Sequence, residues 1–284
     1  MHTRLFDEEL GIYVFQLDPK NYIKFCPERG GVITNWVSDG NEILYFDQKR
    51  FLDNTKSIRG GIPILFPICG NLNTSTSVFG KEYLQLMQHG FARDLPWEYC
   101  FNDSEKSLCL LLNSSHITKK YYPFDFVLSI EVTLKINSLE FEITVKNKTD
   151  IEMPINFGLH PYFNVSDLKN LDFISNPLNC QNQKKNILSN TLDELKNINL
   201  GVDLLMYTSG KSSFRDNVLK REVTLKHPYP LDLGVIWTDP PRRMICLEPW
   251  TSPRNSFVDG FRNLLVPSNK SQKFNSSIEI KPFS

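Results

Sequence analysis

The chain carries no excess charge of either sign: 32 Lys and Arg balance 32 Asp and Glu, and the formal net charge is zero. Nucleic-acid binders show a basic excess on at least one face, so no nucleic-acid partner is expected. No apolar run approaches the roughly 18–20 residues that cross a bilayer, so no membrane span is expected either. Near the start, Asp7, Glu8 and Glu9 stand where a signal peptide would carry its apolar stretch, which points to a cytoplasmic protein. Cys26, Cys69, Cys100, Cys109, Cys180 and Cys246 are scattered, with no C-x-x-C pair. Such thiols are expected to be reduced and mostly buried, without a structural zinc. Also missing are a G-x-S-x-G elbow, a P-loop, an H-E-x-x-H pair and a Gly-rich dinucleotide fingerprint.

What is present is strand periodicity. Residues 41–47, 107–113, 126–136 and 139–147 are rich in β-branched and aromatic side chains, and the last two alternate apolar with polar around an Asn137-Ser138 turn. Ten further candidate strands are 11–17, 22–26, 31–37, 97–102, 153–160, 171–175, 222–226, 232–237, 244–248 and 276–280. So many short strands imply an all-β antiparallel sandwich or large barrel. With 284 residues and no Pro/Gly/Ser linker, one domain over 1–284 is expected. Thr191-Leu192-Asp193-Glu194 has the form of a capping box, predicting a helix of one or two turns. Residues 176–190, rich in Asn, Gln and Lys, read as an exposed excursion, and 71–77 as a loop.

Four short segments carry the chemistry. His160 ends a candidate strand just before Pro161, which holds its backbone extended and takes the next N–H out of any ladder. Its ordinary role would be a hydrogen-bonded strand-end histidine; a pocket-facing acid or base is the alternative. Glu248 lies in the apolar stretch Ile245-Cys246-Leu247-Glu248-Pro249-Trp250. An exposed edge-strand glutamate is the ordinary reading; partial burial would instead lift its pKa toward the range of a general base. His89 and Arg93 flank Gly90-Phe91-Ala92, and Arg59 precedes Gly60-Gly61, where the backbone can bend sharply. Arginines there would either pair with surface acids such as Asp94 or hold a hydroxyl-rich or anionic ligand. Asp203 is a weaker signal. Trp36, Trp97, Trp237, Trp250, Phe66 and Tyr162 could stack on a sugar, although aromatics of this kind more often fill a core.

Taken in order, Arg59-Gly60-Gly61-Ile62-Pro63, His89-Gly90-Phe91-Ala92-Arg93, Gly158-Leu159-His160-Pro161-Tyr162, Val202-Asp203 and Cys246-Leu247-Glu248-Pro249-Trp250 resemble the aldose 1-epimerase (galactose mutarotase-like) superfamily. The hexose-6-phosphate mutarotase, or glucose-6-phosphate 1-epimerase, branch is the most similar. The resemblance implies a galactose mutarotase-like β-supersandwich with an open, concave sugar site. It implies Glu248 as general base and His160 as general acid, with His89 and Asp203 holding the sugar and Arg59 and Arg93 lining the pocket. The implied activity is cofactor-independent, metal-free interconversion of α and β anomers of an aldose, with a hexose-6-phosphate as one candidate substrate.

Two alternatives stay open. A non-catalytic carbohydrate-binding protein on the same fold would keep the aromatics and arginines but misplace the acid–base pair. A glycoside hydrolase would need a second carboxylate facing Glu248 across the ligand. The expected partner is a small-molecule sugar or sugar phosphate, and the sequence leaves the oligomeric state open.

Overall fold

The computed structural model describes residues 3–102 and 106–283. Nearly every regular element is a short antiparallel strand, arranged in a five-stranded sheet, two eight-stranded sheets and one two-stranded ribbon. The five-stranded sheet is the N-terminal meander Thr3–Asp7, Ile12–Asp18, Asn21–Cys26, Val32–Ser38 and Asn41–Glu42.

The outer eight-stranded sheet is built on the longest ladders, Phe126–Lys135 against Ser138–Asn147, and Ser138–Asn147 against Ser271–Pro282. Its sequence alternates because only one face meets the core. Leu139, Phe141, Ile143 and Val145 sit opposite Leu134, Val132, Ile130 and Leu128, and all eight are buried. The turn between those strands falls at Ile136-Asn137, one residue earlier than the Asn137-Ser138 read from sequence, because Ser138 already pairs with Lys135.

The inner eight-stranded sheet runs in the order Ile187–Asn190, Asn179–Asn182, Asp203–Tyr207, Leu233–Trp237, Met244–Trp250, Gly158–Leu159 and Ile64–Leu65, with Tyr162–Asn164 also on Met244–Trp250. Strand alternation divides its two faces. Leu204, Met206, Ile236, Ile245 and Leu247 join the main core beneath the outer sheet. Leu205, Leu233, Val235 and Trp250 turn the other way and form a separate apolar layer. One face therefore holds the fold together and the other is left to build a concave site.

Several sequence expectations need correction. Residues 176–190 are no plain excursion: Asn179–Asn182 and Ile187–Asn190 form a hairpin on the edge of the inner sheet. Their polar composition hid the hairpin, which joins the sheet through pairing of Asn179–Asn182 with Asp203–Tyr207 outside the segment. The expected strand at 153–160 is two elements, Met153–Ile155 pairing with Leu264–Val266 and Gly158–Leu159 joining the inner sheet. The strand expected to stop at Glu248 continues through Pro249 to Trp250, which pairs with both Leu233 and Gly158. The helix is Thr191–Leu195, but its cap is Asn190, whose Oδ1 accepts from the Leu192 and Asp193 amides; Thr191 is already inside the helix.

Two loops interlock at the mouth of the inner sheet. The Phe91 amide donates to the Phe66 carbonyl at 3.0 Å and the His89 amide to the Gly70 carbonyl at 2.7 Å. Gly90 sits at φ +72°, and a Cβ there would lie 2.1 Å from the Phe66 carbonyl oxygen. Gly90→Ala is expected to lower stability by about 1–3 kcal/mol, read from urea unfolding, because backbone rather than a flexible side chain must give way. Unchanged stability would show that the two loops are not rigidly coupled.

Candidate active site

The inner sheet positions a carboxylate and an imidazole from different strands at one point. Met244, Cys246, Glu248 and Trp250 share the strand face away from the main core, and Glu248 lies opposite Val235. His160 follows the short strand Gly158–Leu159, where its amide donates to the Pro63 carbonyl at 3.0 Å; Pro161 has no N–H to donate, and pairing resumes with the Tyr162 amide on the Gly61 carbonyl at 2.9 Å. The two side chains meet with His160 Nε2 3.3 Å from Glu248 Oε1. Both are buried, at 7% and 3% exposure, so neither is the solvent-facing group that a lone His or Glu usually is.

Neighbouring groups lock the pair. Trp250 Nε1 donates to Glu248 Oε2 at 3.1 Å. Tyr162 stacks on the His160 ring at 4.6 Å and 8° interplanar angle, and Trp237 meets the same ring edge-on at 5.8 Å. Burial drives the two ionisations in opposite directions. Desolvation lifts the Glu248 carboxyl well above its usual range, reinforced by the Asp203 charge and opposed by the Trp250 hydrogen bond and the Arg254 and Arg93 charges. Desolvation lowers the His160 imidazole well below its usual range, reinforced by Arg93 and Arg59.

The walls are polar. His89 holds a left-handed backbone at φ 68° and accepts the Gly70 amide on Nδ1 at 3.0 Å. Its neutral ring therefore carries its proton on Nε2, and burial keeps it neutral by lowering its pKa well below the usual value. The His89 and His160 rings lie 5.6 Å apart. Arg93 is nearly buried; its Nη2 donates to the Gln88 carbonyl at 2.7 Å, while its Nε has no hydrogen-bond partner. Arg59 lies over the Trp237 ring, with Nη1 donating to Ser57 Oγ at 2.9 Å. Opposite them, Arg254 Nη2 donates to Asp203 Oδ2 at 2.7 Å and Arg254 Nε to Gln183 Oε1 at 2.7 Å. Gln183 Nε2 returns to Asp203 Oδ1 at 2.6 Å. His89, Arg93, Arg59, Arg254 and Asp203 line, with His160 and Glu248, a cavity of about 140 Å³.

A model of the aldose 1-epimerase family matches residues 14–279, nearly the whole chain. The chain belongs to the aldose 1-epimerase family. Among curated relatives, the "Putative glucose-6-phosphate 1-epimerase" of Salmonella typhimurium is 31% identical over 148 residues, which is 50% of this chain and 45% of that protein. The chain thus spans about half the length of the curated relatives it matches. A solved protein from Synechocystis sp. PCC 6803 superposes with a TM-score of 0.88 at 32% identity, covering 96% of both chains. A galactose mutarotase-like protein from Clostridium acetobutylicum superposes with a TM-score of 0.80 at 18% identity, covering 99% of each, and shares the fold. The galactose mutarotase-like β-supersandwich expected from sequence is therefore the architecture of this family member.

All six residues singled out in the sequence (Arg59, His89, Arg93, His160, Asp203 and Glu248) line this one cavity. Sequence reasoning missed Arg254, Gln183 and Asn71, whose Oδ1 accepts from Arg254 Nη1 at 3.1 Å. No local pattern marks Arg254; its only signal is its place six residues beyond Glu248 on the same chain segment. Of the candidate aromatics, Trp237 and Trp250 line the cavity and Tyr162 underlies His160, whereas Trp36, Trp97 and Phe66 are core. The doubt over Arg93 resolves as a mixture: its Nε lies 3.7 Å from Asp94, yet the guanidinium reaches the cavity. Cys246 adds a donor that the sequence did not suggest. Its Sγ, a His160 nitrogen and a Glu248 oxygen lie within 4.8 Å of one another, a spacing that a small divalent cation could bridge.

The opposed shifts have signed consequences for stability. In the unfolded chain Glu248 loses its proton near pH 4.3, while the folded chain retains it to higher pH. Stability contributed at this site therefore falls as pH rises above about 4.3, by at most about 1.4 kcal/mol per unit, until the folded group ionises. His160 acts oppositely: the unfolded chain gains a proton near pH 6.5 that the folded chain refuses, so stability falls as pH drops below about 6.5. Urea unfolding across pH 5–8 (roughly the span between these values) should show Glu248→Gln gaining stability relative to wild type as pH rises. A constant difference would mean that burial does not perturb Glu248.

Proposed function

We propose that the protein interconverts the α and β anomers of an aldose by acid–base opening and closing of the sugar ring. The observation that carries this reading is the 3.3 Å approach of His160 Nε2 to Glu248 Oε1 on the floor of a cavity rimmed by arginines. Membership of the aldose 1-epimerase family supports it.

In this mechanism Glu248 takes the proton of the anomeric hydroxyl and His160 delivers a proton to the ring oxygen. The C1–ring-oxygen bond breaks and C1 becomes an aldehyde. Rotation about C1–C2 presents its other face, and the reverse transfers close the ring as the opposite anomer. Each group must therefore serve as acid in one direction and base in the other. Burial raises the proton affinity of Glu248 and lowers that of His160, which favours proton uptake by Glu248 and proton release by His160. His89 Nε2 and the Asp203–Arg254 pair are placed to orient hydroxyls. No step requires a cofactor.

The finer reading is a hexose-6-phosphate substrate. Arg59, Arg93 and Arg254 outnumber the two carboxylates, Glu248 and Asp203, in the cavity lining, and Asp203 is already committed to Arg254. Guanidinium groups suit an anionic sugar, although Arg59 and Arg93 also face acids outside the lining, Asp239 at 3.5 Å and Asp94 at 3.7 Å. The name of the Salmonella relative points the same way. Asp203 is the second carboxylate a glycoside hydrolase would need, but both its oxygens are held by Arg254 and Gln183. A single domain over 1–284 accords with a core cluster that runs from Phe15 to Ile280.

Anomer exchange measured by NMR saturation transfer on glucose-6-phosphate, glucose and galactose tests the activity. Acceleration is expected, and binding without acceleration would leave a carbohydrate-binding protein instead. Glu248→Gln and His160→Asn should each lower kcat by roughly 10²–10⁴-fold while the fold is retained. Full activity in either variant would remove that residue from the chemistry. Arg59→Ala and Arg93→Ala should raise KM for the phosphosugar more than for the neutral sugar; equal effects would argue against a phosphate subsite.

A further inference from the structure

Far from the cavity, two cysteines face each other across the edge of the outer sheet. Glu98–Asn102 is the terminal strand of that sheet and pairs antiparallel with Ser107–Asn113 in a register that sets Cys100 directly opposite Cys109. Opposed residues of an antiparallel ladder have Cα atoms about 4.5–5.5 Å apart and side chains on the same face. A disulfide spans Cα separations of about 4.4–6.8 Å, so this register holds the two residues at bridging distance without backbone rearrangement. The thiols are close enough to hydrogen-bond one another.

Their surroundings differ from those of the other four thiols. Cys26, Cys69, Cys180 and Cys246 are buried, whereas Cys100 is exposed and Cys109 half-buried. Tyr99 and Phe101, the neighbours of Cys100, turn to the opposite side and pack on Tyr13, Phe15 and Phe25. The edge strand is thus anchored from within while its cysteine looks outward. The same outer row continues to Glu131, opposite Cys109 on the next strand. Burial, with Cys100 and Glu131 beside it, pushes the Cys109 thiol up to about 11. Cys100, the exposed partner, is therefore the thiol that meets an oxidant first.

We propose that Cys100 and Cys109 are a reversible cross-strand dithiol, oxidised to an intramolecular disulfide by a small-molecule disulfide of the glutathione class. The Cys100 thiolate attacks one sulfur of that molecule, forming a mixed disulfide and expelling one small thiol. Cys109, losing its proton to solvent, then attacks Cys100 Sγ and expels the second thiol. Two protein thiols are oxidised, one small-molecule disulfide is reduced to two thiols, and the protons balance. The product staples the sheet's terminal strand to its neighbour at the edge of the ladder, where fraying begins most readily.

The test uses the intact native chain incubated with oxidised glutathione, followed by alkylation, intact mass and peptide mapping. Wild type is expected to lose the mass of two hydrogens, to lose two titratable thiols and to yield a Cys100–Cys109 linked peptide that dithiothreitol reverses. Cys109→Ser should stop at a glutathione adduct on Cys100. A wild-type chain that stays fully reduced, that accumulates a stable adduct on Cys100, or that links other cysteines would overturn the proposal. Anomer exchange is not the readout, so the outcome is independent of the function proposed above.

Discussion

A carboxylate held out of water in the middle of a sheet is the constraint on which the site depends. Every residue of Met244–Trp250 is buried, and the strand has partners on both sides. Glu248 loses its hydration there and recovers only part of it, through the Trp250 indole and the approach of His160. Removing water from an ionisable group is costly unless neighbours replace it, and partial replacement leaves a group whose proton affinity is raised. The fold thus sacrifices stability at Glu248 and gains a carboxyl of raised proton affinity at the cavity wall.

The charges around the pair follow the same logic. Arg254 reaches from the segment after Met244–Trp250 to Asp203 two strands away, to Gln183 in the turn of the edge hairpin and to Asn71 in the loop before His89. One guanidinium therefore ties together four stretches of chain that meet only after folding. Its fork geometry fixes the Asp203 carboxylate, and Gln183 completes the fixation. The anomer exchange proposed above would need this rigidity, because misplacement by about 1 Å already weakens positional catalysis.

Much of this was legible in the chain. Alternating apolar residues at 126–136 and 139–147 marked the outer sheet, because one dry face imposes a period of two. All six functional candidates converge on one cavity, since short segments with Gly, Pro and an isolated titratable group mark sites where backbone and side chain are both constrained. The hairpin within 176–190 was not legible: its composition is largely polar, and it joins the sheet only through Asn179–Asn182 pairing with Asp203–Tyr207, outside the segment. Pro249 misled in a similar way, since proline locally argues against a central strand while Trp250 beyond it pairs on both sides.

Sequence by itself determined the class of fold and singled out the titratable residues that meet in the cavity, because periodicity and residue chemistry are local properties. Tertiary structure alone decided that Glu248 is buried rather than exposed, that His160 lies 3.3 Å from it, and that Arg254 belongs to the site. It also decided that Cys100 faces Cys109. Desolvation, ion pairing and cross-strand register depend on which distant segments come together, and no stretch of sequence carries that information alone.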